Sequence, residues 1–261
     1  NTPLKSAIEK YMRLKYNENY INKAEELAKN ICEIFEESYP KVDFEFRYRI
    51  KSDNSLKKKL LKLESERLED LFFLDKISQE QMDYFHEIMI KKFKVFVNLD
   101  DKKAEEKFQN LIKEKEVNSE KRKQRSIENL KEKNRNPLNP DEYLQLFDIV
   151  GMKIVINEIP QGYRTGIIEI DKIIEERDSK INNIEEYKNL DDKAQDMIVK
   201  DFLDERLLTK ENLESMNMHS VQSRRKNINK ENGYRASHST ICDNEYQNIN
   251  YEVQGKTKYV E

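Results

Sequence analysis

The stretch VDFEFRYRIK, residues 42–51, alternates with a period of two. Val42, Phe44, Phe46, Tyr48 and Ile50 fall on one side of an extended chain, and Asp43, Glu45, Arg47, Arg49 and Lys51 fall on the other. Such a segment is a half-buried strand whose polar face is heavily charged. The chain must therefore build a sheet that keeps this face in contact with water.

Most of the remaining chain has helical spacing. Over residues 3–39 the pattern predicts amphipathic helix: Ile21, Ala24, Leu27, Ala28, Ile31, Ile34 and Phe35 recur on one face, and Pro40 ends the run. SLKKKLLKLESERLEDLFF predicts a helix, with Ser52 to Ser55 supplying cap chemistry. From about 76 to 140 the pattern stays helical but very polar, and EKEVNSEKRKQRSIENLKEKNRNP reads as a long exposed helix or a poorly ordered excursion. DIVGMKIVI reads as a buried strand. Residues 164–218 return to helix, with breaks expected near Asn189 to Asp192 and near Thr209. GYRASHSTIC and NINYEVQGK close the chain with strand character.

Four strand candidates separated by helical blocks predict an α+β (or α/β) fold around a mixed sheet. The expected division is 1–65 for the first helix, strand and following helix, 66–140 for a charged helical insertion, and 141–261 for the rest, with a second helical insertion at about 164–225.

A net charge of −3 argues against a uniformly basic nucleic-acid binder. Cys32 and Cys242 lie far apart, without metal-ligand spacing, and read as buried free thiols of a reducing cytosol. No apolar run approaches a membrane span and no signal-peptide pattern is present, so no membrane partner and a cytoplasmic location are expected. The chain starts at Asn1 without Met and stops at Glu261 in mid-pattern, as a piece of a longer protein would.

Four stretches carry polar side chains that a structural strand does not need. In RIKSDNSLKKKL, Arg49 and Lys51 share a face at a strand end, and Ser55 and Lys59 lie one helical turn apart at the start of the next helix. Two cations delivered to a helix N-terminus form a seat for polyphosphate; a solvated basic face is the other reading. Asp148 opens a buried strand, where a carboxylate needs a partner such as Mg²⁺, Lys153 or a helix cap. In KENGYRASH, Lys230, Tyr234 and His238 are spaced by four, and a ring beside a His either stacks on a base or belongs to the core. In YEVQGKTKYVE, Glu252, Gln254 and Lys256 line one strand face, which calls for a cavity, a ligand or water.

In order and spacing, this set resembles the synthetase domain of the RelA/SpoT family, the ATP-dependent pyrophosphokinases that make (p)ppGpp. Arg49, Lys51, Ser55 and Lys59 match the family's first block. Asp148 and Gly151 match its Asp-x-x-Gly strand, with Lys153 where Arg is usual. Lys230, Gly233, Tyr234, Ser237 and His238 match a third block without a gap, and Glu252, Gln254 and Thr257 match the last, with Lys256 again replacing Arg. The decoy GYRTG at 162–166 lacks the His four residues after Tyr163.

The resemblance covers roughly 20–65 and 141–261 and implies a nucleotidyltransferase-like mixed sheet flanked by helices. It implies transfer of the β,γ-diphosphate of ATP to the 3′-hydroxyl of GDP or GTP, releasing AMP. Arg49 would pack on adenine, and Lys51 and Lys59 would hold ATP phosphates with help from Ser55. Asp148 and Glu252 would hold Mg²⁺, and Glu252 would draw the proton from the attacking hydroxyl. Tyr234 would stack on the acceptor guanine, while Lys230 and His238 would bind acceptor phosphates. Gln254, Lys256 and Lys153 complete the expected acceptor side.

Lysine at 153 and 256 keeps the charge but loses the two-point fork of arginine, so weaker or displaced acceptor binding is expected. The long helical segments are further departures; they either cover the site, bind a regulator, mediate oligomer contacts or form a solvated hairpin. Two other functions stay open. The acceptor is the 3′ end of tRNA, as in toxic family members, or the chain is an inactive nucleotide- or RNA-binding module, which would not need both Asp148 and Glu252.

Overall fold

The computed structural model describes residues 2–146, 148–220, 228–229, 235–245 and 250–260. In chain order its elements are α1 (Pro3–Lys15), α2 (Glu18–Ser38), β1 (Asp43–Ile50), α3 (Asp53–Phe73), α4 (Gln79–Val97), α5 (Asp101–Lys133) and α6 (Pro140–Tyr143). There follow β2 (Val150–Glu158), α7 (Ile168–Ser179), α8 (Ile184–Asp201), a single π-turn (Phe202–Arg206) and α9 (Lys210–Ser215). The chain closes with β3 (Met218–Ser220), β4 (Ile228–Asn229), β5 (Arg235–Asp243) and β6 (Asn250–Thr257). The protein is mixed α+β, as the alternation of patterns predicts.

Contacts divide the chain into two units, one of residues 1–14 and 52–146, the other of 15–51 and 147–261. The sheet lies wholly in the second. Its strands run β1-β2-β6-β5-β3, with β4 paired to β5. β2 and β6 are parallel, and the other pairs are antiparallel.

One face of this sheet is covered. α8 packs on β6 and β2, and the π-turn packs on β5 and on α2. Phe35 of α2 meets the rings of Tyr39, Phe44 and Phe202, and Tyr20 stacks on Tyr251 at 5.8 Å. β1 alternates as expected: its charged residues are exposed and its apolar ones half-buried.

Gly255 on β6 is required by this packing. A Cβ there would lie 1.9 Å from Val199 Cγ1 of α8 and 3.3 Å from Leu203 Cδ1, so the helix sits against bare backbone. Arg177, fully buried, ties α7 to α8 through Asp191 at 2.7 Å and donates to the carbonyls of Ile159 and Pro160 beyond β2. Lys23 of α2 reaches the buried Asp243 of β5 at 2.6 Å. Burial pulls the ammonium down, but Asp243 and Glu245 outweigh it and hold its pKa above the usual lysine value.

The helical unit has its own core, in which Phe73, Phe72, Phe85 and Phe108 form a chain of ring contacts across α3, α4 and α5. Inside it, Arg67 forks onto the buried Glu64 at 2.7 and 2.8 Å and donates to the Pro137 carbonyl.

The structure departs from the sequence pattern in several places. The expected helix over 3–39 is two helices, because Asn17 leaves the helix to cap α2 through its side chain. The polar segment after 101 is an ordered helix with non-helical backbone at Asn118. The break expected at Asn189 to Asp192 lies instead at 180–183, where Asn183 caps α8; Asp191 does not interrupt the helix because Arg177 and Gln195 take up its carboxylate. Thr209 does start a helix, capping α9. β3 and β4 carried no pattern long enough to read. Cys242 is buried and Cys32 half-buried, and neither forms a disulfide. Among the described residues no helix is long and apolar enough to cross a membrane.

Gly255→Ala should cost about 1–3 kcal/mol of stability through overpacking against Val199. A urea midpoint equal to that of the unmodified chain would contradict the close approach.

Candidate functional site

The open face of the sheet collects polar side chains from four strands. Register does the collecting. Arg49 lies opposite Gly151 and Arg47 opposite Lys153 across β1 and β2. Gly151 is aligned with Glu252 and Lys153 with Gln254 across the parallel β2–β6 pair. His238 lies opposite Gln254, and Thr240 opposite Glu252, across β5 and β6. On β6 the alternation is clear: Glu252, Gln254 and Lys256 are half-buried, while Tyr251, Val253, Gly255 and Thr257 are buried on the helix-covered side.

These side chains surround a cavity of about 780 Å³. Its charged lining consists of Arg47, Arg49, Lys51, Lys153 and Lys256 with the carboxylates Asp148 and Glu252, five cations against two anions. A chain of net charge −3 thus concentrates positive charge at one concave place. Gly151 keeps the floor low: a Cβ there would meet only the Arg49 side chain, at 3.9 Å.

Within the cavity the acids are held. Lys51 pairs with Asp148 at 3.0 Å, both side chains largely buried, while the backbone N–H of Lys51 donates to the Ile149 carbonyl at 2.8 Å. That backbone bond extends the β1 edge past Ile50 and points the ammonium towards the acid. Glu252 Oε1 is hydrogen-bonded by His238 Nδ1 and, at 3.3 Å, by Gln254 Nε2.

The residues expected from sequence therefore divide into three groups and His238, which bonds Glu252 but is not on the cavity wall. Arg49, Lys51, Asp148, Lys153, Glu252, Gln254 and Lys256 share one cavity wall. Ser55 and Lys59 belong to the helical unit, where Ser52 caps α3 by accepting from the Ser55 N–H and its hydroxyl lies 2.9 Å from that of Ser55. Lys230 and Tyr234 lie outside the described residues. Arg47 was not singled out in the sequence, although its period-two relation to Arg49 carried the signal. The His86 ring bonds Glu105 at 2.5 Å, and His219 bonds Asn244; neither ring belongs to the cavity wall.

Among the described residues no group of three or more His, Cys, Asp or Glu is arranged to hold a metal. Asp148 and Glu252 instead offer one carboxylate each, a hard-oxygen set that suits Mg²⁺ when phosphate oxygens and water supply the other ligands. Comparison of the chain with protein-family models, curated proteins and solved structures finds no match.

A cavity with this lining should bind a linear polyphosphate. Tripolyphosphate at a hundredfold its dissociation constant should stabilise the chain by about 2.7 kcal/mol, read as a raised melting temperature. Lys51→Met should weaken that binding by about 10- to 100-fold, the worth of one charged hydrogen bond. Equal affinity in the variant would remove Lys51 from the anion seat.

Proposed function

We propose that the chain is an ATP-dependent pyrophosphokinase of the RelA/SpoT type, built on a nucleotidyltransferase-like sheet, with GDP or GTP as acceptor. The observation that carries the reading is convergence. Three stretches far apart in sequence, 49–51, 148–153 and 252–256, line one cation-rich cavity that also contains two carboxylates. A binding module for nucleotide would use the cations and have no need for the acids.

In the proposed reaction the acceptor 3′-oxygen bonds to the β-phosphorus of ATP. The bond from that phosphorus to the α,β-bridging oxygen breaks, its electron pair leaves with AMP, and the hydroxyl proton passes to Glu252. Little covalent work falls to the protein, so positioning and charge dominate. Arg49, exposed on β1, offers a planar guanidinium for stacking on adenine. Lys51 holds phosphate. Lys153, Gln254 and Lys256 face the acceptor; the acceptor roles that the resemblance implies for Lys230 and Tyr234 fall outside the described residues. Asp148 and Glu252 would hold Mg²⁺, which when bound offsets phosphate charge in the transition state.

The test is incubation with [γ-³²P]ATP and Mg²⁺ plus GDP, GTP or bulk tRNA in parallel. Label should move to the guanosine nucleotide. Label confined to ATP with every acceptor would overturn the proposal, and label on the tRNA 3′ end would replace the acceptor. Glu252→Gln should lower transfer by about 10²- to 10⁴-fold, the usual contribution of a positioned base, while ATP binding persists.

A further inference from the structure

We infer that His238 is a positioning residue for Glu252 and makes no contact with acceptor phosphate. The inference rests on the proposed role of Glu252 as proton acceptor. Three observations carry it. His238 and Glu252 are diagonal neighbours on antiparallel β5 and β6, a relation that long side chains can span. The His238 Nδ1 uses that relation to bond Glu252 Oε1. The ring is largely buried, its Nε2 has no hydrogen-bond partner among the described residues, and His238 is not on the cavity wall that Glu252 and Gln254 line.

A phosphate-binding histidine needs a ring N–H facing the ligand. Here the nitrogen that faces the site is already committed to Glu252. A carboxylate can only accept, so in this bond Nδ1 carries a proton. Gln254 Nε2 donates to the same oxygen at 3.3 Å, so both bonds described for Glu252 fall on Oε1. The two donors pin one carboxylate oxygen and leave Oε2 to meet the reacting hydroxyl. Without them a flexible glutamate side chain must be ordered anew at each turnover.

Two variants separate this role from phosphate binding. In His238→Ala both the bond and the bulk are lost. In His238→Asn an amide N–H takes the place of Nδ1–H, and nothing is left that reaches where Nε2 was. Steady-state transfer should show kcat in His238→Ala reduced by about 10- to 100-fold with acceptor KM within about twofold, and His238→Asn should recover most of kcat. A raised acceptor KM with kcat intact would return His238 to the phosphates. An asparagine variant no better than alanine would reduce the histidine to packing. A second measurement needs no turnover: long-range ¹H–¹⁵N correlation on the folded chain should find the His238 proton on Nδ1. A ring protonated on Nε2 alone would overturn the inference. Absence of transfer in the unmodified chain with every acceptor would instead refute the pyrophosphokinase reading, leaving the ring geometry to be judged by the ¹⁵N signals.

Discussion

The parallel pairing of β2 with β6 is the constraint on which the rest depends. It aligns Gly151 with Glu252 and Lys153 with Gln254, joining segments about a hundred residues apart through backbone hydrogen bonds alone. Parallel strands need a crossover between them, and here the connection contains α7, α8, the π-turn and α9. Part of that crossover covers the sheet it joins. α8 packs against bare backbone at Gly255, which is why one face of β6 is buried and the other is open to carry charge.

The two faces have opposite physical jobs. The covered face takes aromatic and branched side chains, Tyr20, Phe35, Phe202, Tyr251 and Val253, and excludes water. The open face holds arginines and lysines around two acids, and each acid has a donor close by: Lys51 for Asp148, and His238 with Gln254 for Glu252. Apolar packing thus gathers on one side of a single layer and the charged cavity on the other. Because the parity of β6 decides which side chain goes where, a slip of one residue would bury Glu252 and expose Tyr251.

Much of this was legible in the chain. β1 was readable to its ends because alternation is a local property, and its charged face announced that the sheet is open on that side. The short apolar run at 149–156 and the polar alternation at 252–256 marked the two strands of the parallel pair. Boundaries set by side-chain capping were less legible: Asn17 and Asn183 end or begin helices through hydrogen bonds that leave hydrophobic periodicity unchanged, and Asp191 looked like a breaker until Arg177 supplied its counter-charge from another helix.

The sequence by itself determined the α+β class, the half-buried first strand and the residue types available for phosphate and metal chemistry, since period and composition are properties of short segments. The tertiary structure alone decided that Arg49, Asp148 and Glu252 line the same cavity, that Lys51 pairs with Asp148, and that His238 turns its Nδ1 to Glu252. Those relations depend on strand order and register, which follow from hydrogen bonds between segments that sequence spacing keeps far apart.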